Sequence, residues 1–83
     1  MYYEADIRNI LKSCVDFTEQ IETSDIDAEL RHMGMDSLLF VQIVVAIECY
    51  YEIEFDDDMM LMEKYGTIRG LCECVSILRD GES

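Results

Sequence analysis

Asp36-Ser37-Leu38-Leu39-Phe40-Val41-Gln42-Ile43-Val44-Val45-Ala46-Ile47-Glu48-Cys49-Tyr50-Tyr51 is the stretch that decides the fold. Its apolar residues do not alternate as a half-buried strand requires. Leu38, Val41, Val44, Val45, Ile47 and Tyr51 recur at helical steps, and Leu39, Phe40 and Ile43 make the segment apolar nearly all round. Ser37 suits the N-cap, because a serine hydroxyl accepts a hydrogen bond from an otherwise unpaired first-turn amide. Gly34, just before, permits an unusual backbone turn. A helix apolar on two sides suits a core on one face and visiting partners on the other.

Outward from this helix the same period recurs twice. Ile7, Ile10, Leu11, Cys14 and Val15 form one stripe of a first helix predicted over Glu4 to Phe17, with Arg8 and Lys12 opposite. Ile68, Leu71, Cys72, Val75 and Leu78 give a last helix from Thr67 to Leu78. Between the first two helices, Thr18 to Met35 reads as a long connection pinned by Ile21, Ile26, Leu30 and Met33, with a short helical turn within Asp27 to His32. A connection of that length is commonly functional. Asp56, Asp57 and Asp58 cap a short third helix through Met59, Met60, Leu61 and Met62, which Gly66 ends.

There is no proline, and the glycines are Gly34, Gly66, Gly70 and Gly81. The expected fold is all-α: a four-helix bundle with three main helices, one short third helix and a long first loop. One domain is expected over residues 1–83, ordered from about 3 to 79, with 80–83 frayed.

Nineteen acidic residues against six basic ones give a net charge of −13. That surface repels nucleic acid and anionic membranes, and serves either solubility or steering toward proteins with basic patches. No signal peptide and no apolar run of membrane-spanning length is visible, so a cytoplasmic monomer is expected, free-standing because the chain begins at Met1. In that compartment thiols stay reduced. Cys14 and Cys72 read as buried, Cys49 and Cys74 as partly exposed, and their spacing fits neither a zinc site nor a disulfide framework.

Chemistry-bearing motifs are few. His32, expected exposed in the loop, is the single histidine, and no Gly-x-Ser-x-Gly elbow accompanies Ser37, which argues against a serine hydrolase. The three aspartates lack the alternating ligands, central glycine and terminal glutamate of a calcium loop, so no metal site is expected. Met59, Met60 and Met62 supply either core or an adaptable lip. The five tyrosines look scattered, with no stacking platform.

Leu30, Gly34, Asp36, Ser37 and Leu38 match a Leu…Gly-x-Asp-Ser-Leu pattern, followed by Val41, Ile43, Ile47 and Glu48, then Ile53-Glu54-Phe55 and Thr67-Ile68. In this the chain resembles the acyl carrier and peptidyl carrier proteins, closely over most of its length and in pattern only over the first helix. The resemblance implies a 4'-phosphopantetheine arm, moved from coenzyme A onto Ser37 by a phosphopantetheinyl transferase that also contacts Asp36 and Leu38. It implies a carrier, not an enzyme, with acyl- or aminoacyl-activating and transfer enzymes bearing basic docking patches as partners. Leu38, Leu39, Gln42, Ile43 and Glu48 are the expected recognition residues. Val41, Val44, Ile47, Met60 and Leu71 are the expected lining of a cleft between the second and third helices.

The chain departs from the fatty-acid type in three places. Leu39 and Gln42 stand where that type places acids, Asp56 replaces a proline, and the third-helix segment is longer. These features point to a specialised polyketide- or nonribosomal-peptide-like pathway. The alternatives are a fatty-acid carrier and a helical adaptor without a prosthetic group.

Overall fold

The computed structural model describes residues 2–81. Among the described residues there are five α-helices: α1 (Glu4–Cys14), α2 (Thr18–Thr23), α3 (Ser37–Tyr51), α4 (Met62–Tyr65) and α5 (Ile68–Asp80). Single 3-10 turns at Leu30–Met33 and Asp57–Met60 complete the path. The protein is an all-helical bundle in which α1 packs against α2, α3 and α5, and α4 packs against α5.

The three stripes build the core. Ile7 and Leu11 from α1, Ile43, Val44 and Ile47 from α3, and Ile68, Leu71 and Val75 from α5 are all fully buried. Removing that much apolar surface from water is the main drive for assembly. Ile21 and Leu30 join them from the connection between α1 and α3, and Ile26 and Met33 are half-buried beside them.

Three boundaries differ from expectation. First, α1 ends at Cys14, because Val15 is extended at φ −123° and ψ 162°. Second, the connection is not a plain loop, for it contains α2. With β-branched Thr18, Ile21 and Thr23 among six residues, α2 is too short and too weak a helix former to stand alone, and tertiary contacts supply the rest. Ile21 is sunk in the core, and the Arg8 guanidinium of α1 donates to the carbonyls of Ile21 and Ser24 at the α2 C-terminus. A cation there satisfies orphan carbonyls and complements the helix dipole. Third, the expected third helix is broken at Leu61, whose backbone is extended (φ −92°, ψ 108°), into a 3-10 turn and the short α4.

The connection is fastened at its far side to the start of α5. Leu30 N–H donates to Gly66 O at 2.9 Å, and Arg69 N–H donates to Ile26 O at 2.9 Å. The Arg69 guanidinium also pairs with both carboxylate oxygens of Asp27. Gly66 must be glycine, since a Cβ there would lie 2.2 Å from the Met62 carbonyl oxygen.

Cys72 is buried and Cys49 exposed as expected, but Cys14, expected buried, is only half-buried at the last residue of α1, and Cys74, expected partly exposed, is fully buried. Sequence spacing put Cys74 off the α5 stripe, and α4 covers that second side of α5. Burial pushes the Cys72 thiol up to about 11 and the Cys74 thiol up to about 12, so both stay protonated and unreactive. The tail expected to fray at 80–83 starts as helix, with Asp80 the last residue of α5 and Gly81 its left-handed cap. Met1, Glu82 and Ser83 lie outside the described residues. Among the described residues no helix is long and apolar enough to cross a membrane.

Candidate functional site

The segment before α3 is built by its backbone. Gly34 ends the 3-10 turn at φ 114°, a left-handed conformation that favours glycine. The Phe17 ring lies 3.7 Å from where a Cβ at Gly34 would sit. Met35 is then drawn into the core, and its N–H donates to Leu30 O. Asp36 is extended, and its carboxylate accepts the Leu39 N–H at 2.8 Å.

That bond corrects the expected N-cap. Asp36 caps α3, and Ser37 is the first helical residue. Asp and Ser are comparable cap residues, so the adjacent pair is ambiguous in sequence. The consequence for the site is direct: the Ser37 hydroxyl has no capping duty. It is exposed at the positive end of a 15-residue helix.

Beside Ser37 lies a cleft of about 220 Å³, lined by Phe40 and Val41 of α3 and by Met60, Leu61, Met62 and Glu63. Val41 and Met60 were expected there. Val44, Ile47 and Leu71 were too, but all three are fully buried in the core. The cleft lies near Ser37, where residues 60–63 face Phe40 and Val41 in the first turns of α3. Met59 is core, while Met60 and Met62 are half-buried at the cleft. Glu63 is the one charged residue in the lining.

The expected recognition residues divide. Leu38 is 69% exposed, Gln42 is exposed and Leu39 is half-buried. Ile43 is fully buried and is no surface residue. It falls on the inward face with Phe40, Val44 and Ile47, a register that an all-round apolar helix conceals. Glu48 is half-buried and committed to structure, its carboxylate accepting the Phe55 N–H at 2.7 Å. Two residues missing from the expected recognition set are Val41 and Val45, 39% and 48% exposed, which extend Leu38 into an apolar stripe. Their spacing, three and seven residues on from Leu38, was the available signal. His32 is exposed in the connection, as expected.

A helical bundle that offers a free hydroxyl at a helix start, beside an apolar cleft, suits a protein that bears a covalently attached group. Residues 6–75 match the family described as phosphopantetheine attachment site, and the chain belongs to that family. It is similar to the aminoacyl carrier protein of Agrobacterium fabrum (strain C58 / ATCC 33970), with 28% identity over 78 residues covering 94% of each chain. No solved structure matches the chain. The protein is thus a carrier with a covalent 4'-phosphopantetheine arm, in a family whose members present substrates to acyl-handling enzymes.

The local geometry fits such a group. Asp36 uses its carboxylate on the Leu39 amide and its carbonyl on the Phe40 amide. Helix geometry then leaves the Ser37 and Leu38 amides pointing out at the α3 terminus, where a phosphate is stabilised by N–H groups and dipole together.

Proposed function

We infer that Ser37 is the residue that bears the arm, and that the cargo is an aminoacyl or related acyl group of a specialised cytoplasmic pathway. The observation that carries this reading is the division of labour at the start of α3. Asp36 takes the cap, leaving the Ser37 hydroxyl exposed and unpaired at an anion-favouring helix terminus. When bound, the arm supplies a thiol on which acyl groups travel as thioesters.

The residues of the chain hold and present that group. The amides of Ser37 and Leu38 favour the phosphate, and the apolar cleft of Phe40, Val41, Met60 and Met62 gives the neighbouring part of the arm a surface to lie on. Leu38, Val41 and Val45, with Leu39 and Gln42 between them, form the face that transferase and loading enzymes would read. This face carries no acid after Ser37 until Glu48, and Glu48 is tied to Phe55. Recognition here therefore rests on apolar contact near Ser37, with the −13 charge of the whole chain acting at longer range.

The specialised cargo is favoured by that apolar face and by the aminoacyl carrier protein among the relatives. Thioester formation on the arm-bearing protein distinguishes the readings. An amino-acid-activating enzyme is expected to load it faster than a fatty-acyl-activating one. Faster loading by the fatty-acyl enzyme would overturn the subclass, and loading by neither would overturn the cargo reading.

A further inference from the structure

The pole opposite Ser37 carries a second cavity, of about 480 Å³, walled by Tyr2, Tyr3, Asp6, Tyr51, Arg79 and Asp80. The tyrosines that look scattered in sequence meet here as a row of edge-to-face rings. Tyr2 to Tyr3 is 4.9 Å between centroids, Tyr3 to Tyr51 is 5.4 Å, and Tyr51 to Tyr50 is 4.8 Å. Two of their hydroxyls orient the two carboxylates. Tyr3 donates to Asp80 at 2.8 Å and Tyr51 donates to Asp6 at 3.1 Å. Each carboxylate is thereby fixed through one oxygen, with its second oxygen left for another donor.

The cavity already displays its own preference. The Arg79 guanidinium sits over the Tyr51 ring, 5.4 Å from its centroid. Among the described residues of the lining, Arg79 is the single cation against two carboxylates, in a chain of charge −13. Tyr2 of the same lining is 91% exposed, an amphipathic ring open to solvent. Tyrosine and arginine are the residues most often found as anchors of protein interfaces.

We propose that this cavity is a second docking surface, which receives a lysine or arginine side chain projecting from a protein partner. The inserted cation lies among the tyrosine faces and pairs with Asp6 and Asp80, displacing Arg79 toward solvent. The position gives the surface a use. Ser37 and Tyr51 are the two ends of α3, about 21 Å apart at the rise of a helix. A partner can thus hold the carrier at the tyrosine pole while the Ser37 end stays open to successive enzymes.

The test is an amide and tyrosine-ring NMR titration with a capped pentapeptide carrying two arginines, beside its uncharged citrulline counterpart. The arginine peptide is expected to shift residues 2–6, 51 and 79–80 saturably, and the citrulline peptide not to. Asp80→Asn, which keeps the acceptor for Tyr3, is expected to weaken binding about two- to fivefold, and Asp57→Asn, with the same charge change elsewhere, to leave it unchanged. Arg79→Gln removes the resident competitor and is expected to tighten binding, whereas Lys64→Gln is not. Equal effects of the paired variants would reduce the binding to general acidity and overturn the proposal. Arginine amide binding as tightly as the peptide would overturn it too, making the cavity a small-molecule cation site.

Discussion

Helices α3 and α5 bury residues in one core yet meet water on different terms. The exposed side of α5 is Arg69, Glu73, Arg79 and Asp80, as an amphipathic surface helix should be. The exposed side of α3 includes Leu38, Val41, Val45 and Tyr50. Burial, full or partial, covers every apolar residue on α5 but leaves Leu38, Val41, Val45, Cys49 and Tyr50 of α3 exposed. Apolar residues kept in water along one face, beginning next to Ser37, are not core and fit the recognition face proposed for the carrier.

That contrast is tested most strongly by substitutions on the two faces of α3 itself. Ile47→Ala removes a fully buried side chain and is expected to cost about 2–5 kcal/mol in denaturant unfolding. Val45→Gln, two residues earlier on the wet side, is expected to change stability by less than about 0.5 kcal/mol. Paired with Leu38→Gln, it should nonetheless lower kcat/KM for the enzymes that act on the carrier. A stability loss from Val45→Gln as large as that from Ile47→Ala would place the stripe in the core.

The caps of the two helices sharpen the comparison at smaller energy. Asp36 accepts from Leu39 N and Thr67 Oγ1 accepts from Gly70 N, at 2.8 and 2.9 Å. Asp36→Ala and Thr67→Ala should each cost about 1 kcal/mol. Only the first is expected to slow arm transfer as well, read as initial rate with a phosphopantetheinyl transferase. Equal slowing by both would mean that general loosening, not the α3 terminus, limits the reaction.

The smallest effect concerns the tie between the connection and α5. Hydrogen bonding and charge from Arg69 hold the Asp27 carboxyl below the usual carboxylate range. A depressed folded-state pKa adds stability above the unfolded-state pKa, which is lost as pH falls through the folded value. The stability difference between the native protein and Asp27→Asn should therefore be constant from pH 7 to about 5 and shrink below about pH 4. A difference that grew on acidification would contradict the pairing.

Most of the architecture was legible because α1 and α5 carry clean stripes, and because Thr67 and Gly66 mark true boundaries. What escaped the sequence came from contacts across it. Helix α2 depends on Arg8 of α1 reaching its last carbonyls, a bond that no local pattern shows. Cys74 is buried on the side of α5 that α4 packs against, and Tyr3 finds Tyr51 across almost fifty residues. At the site, the position of Ser37 was legible, but the adjacent Asp36 took the cap. On α3, apolarity on all sides hid the inward register, so Ile43 looked as available as Leu38.

The central claim is that Ser37, freed from capping by Asp36, bears the arm. Intact-mass measurement after incubation with coenzyme A and a broad-specificity phosphopantetheinyl transferase tests it most directly. The native protein is expected to gain one phosphopantetheine and Ser37→Ala none, with the two melting at the same temperature. Arm addition that survives Ser37→Ala, or no addition to the native protein, would contradict it.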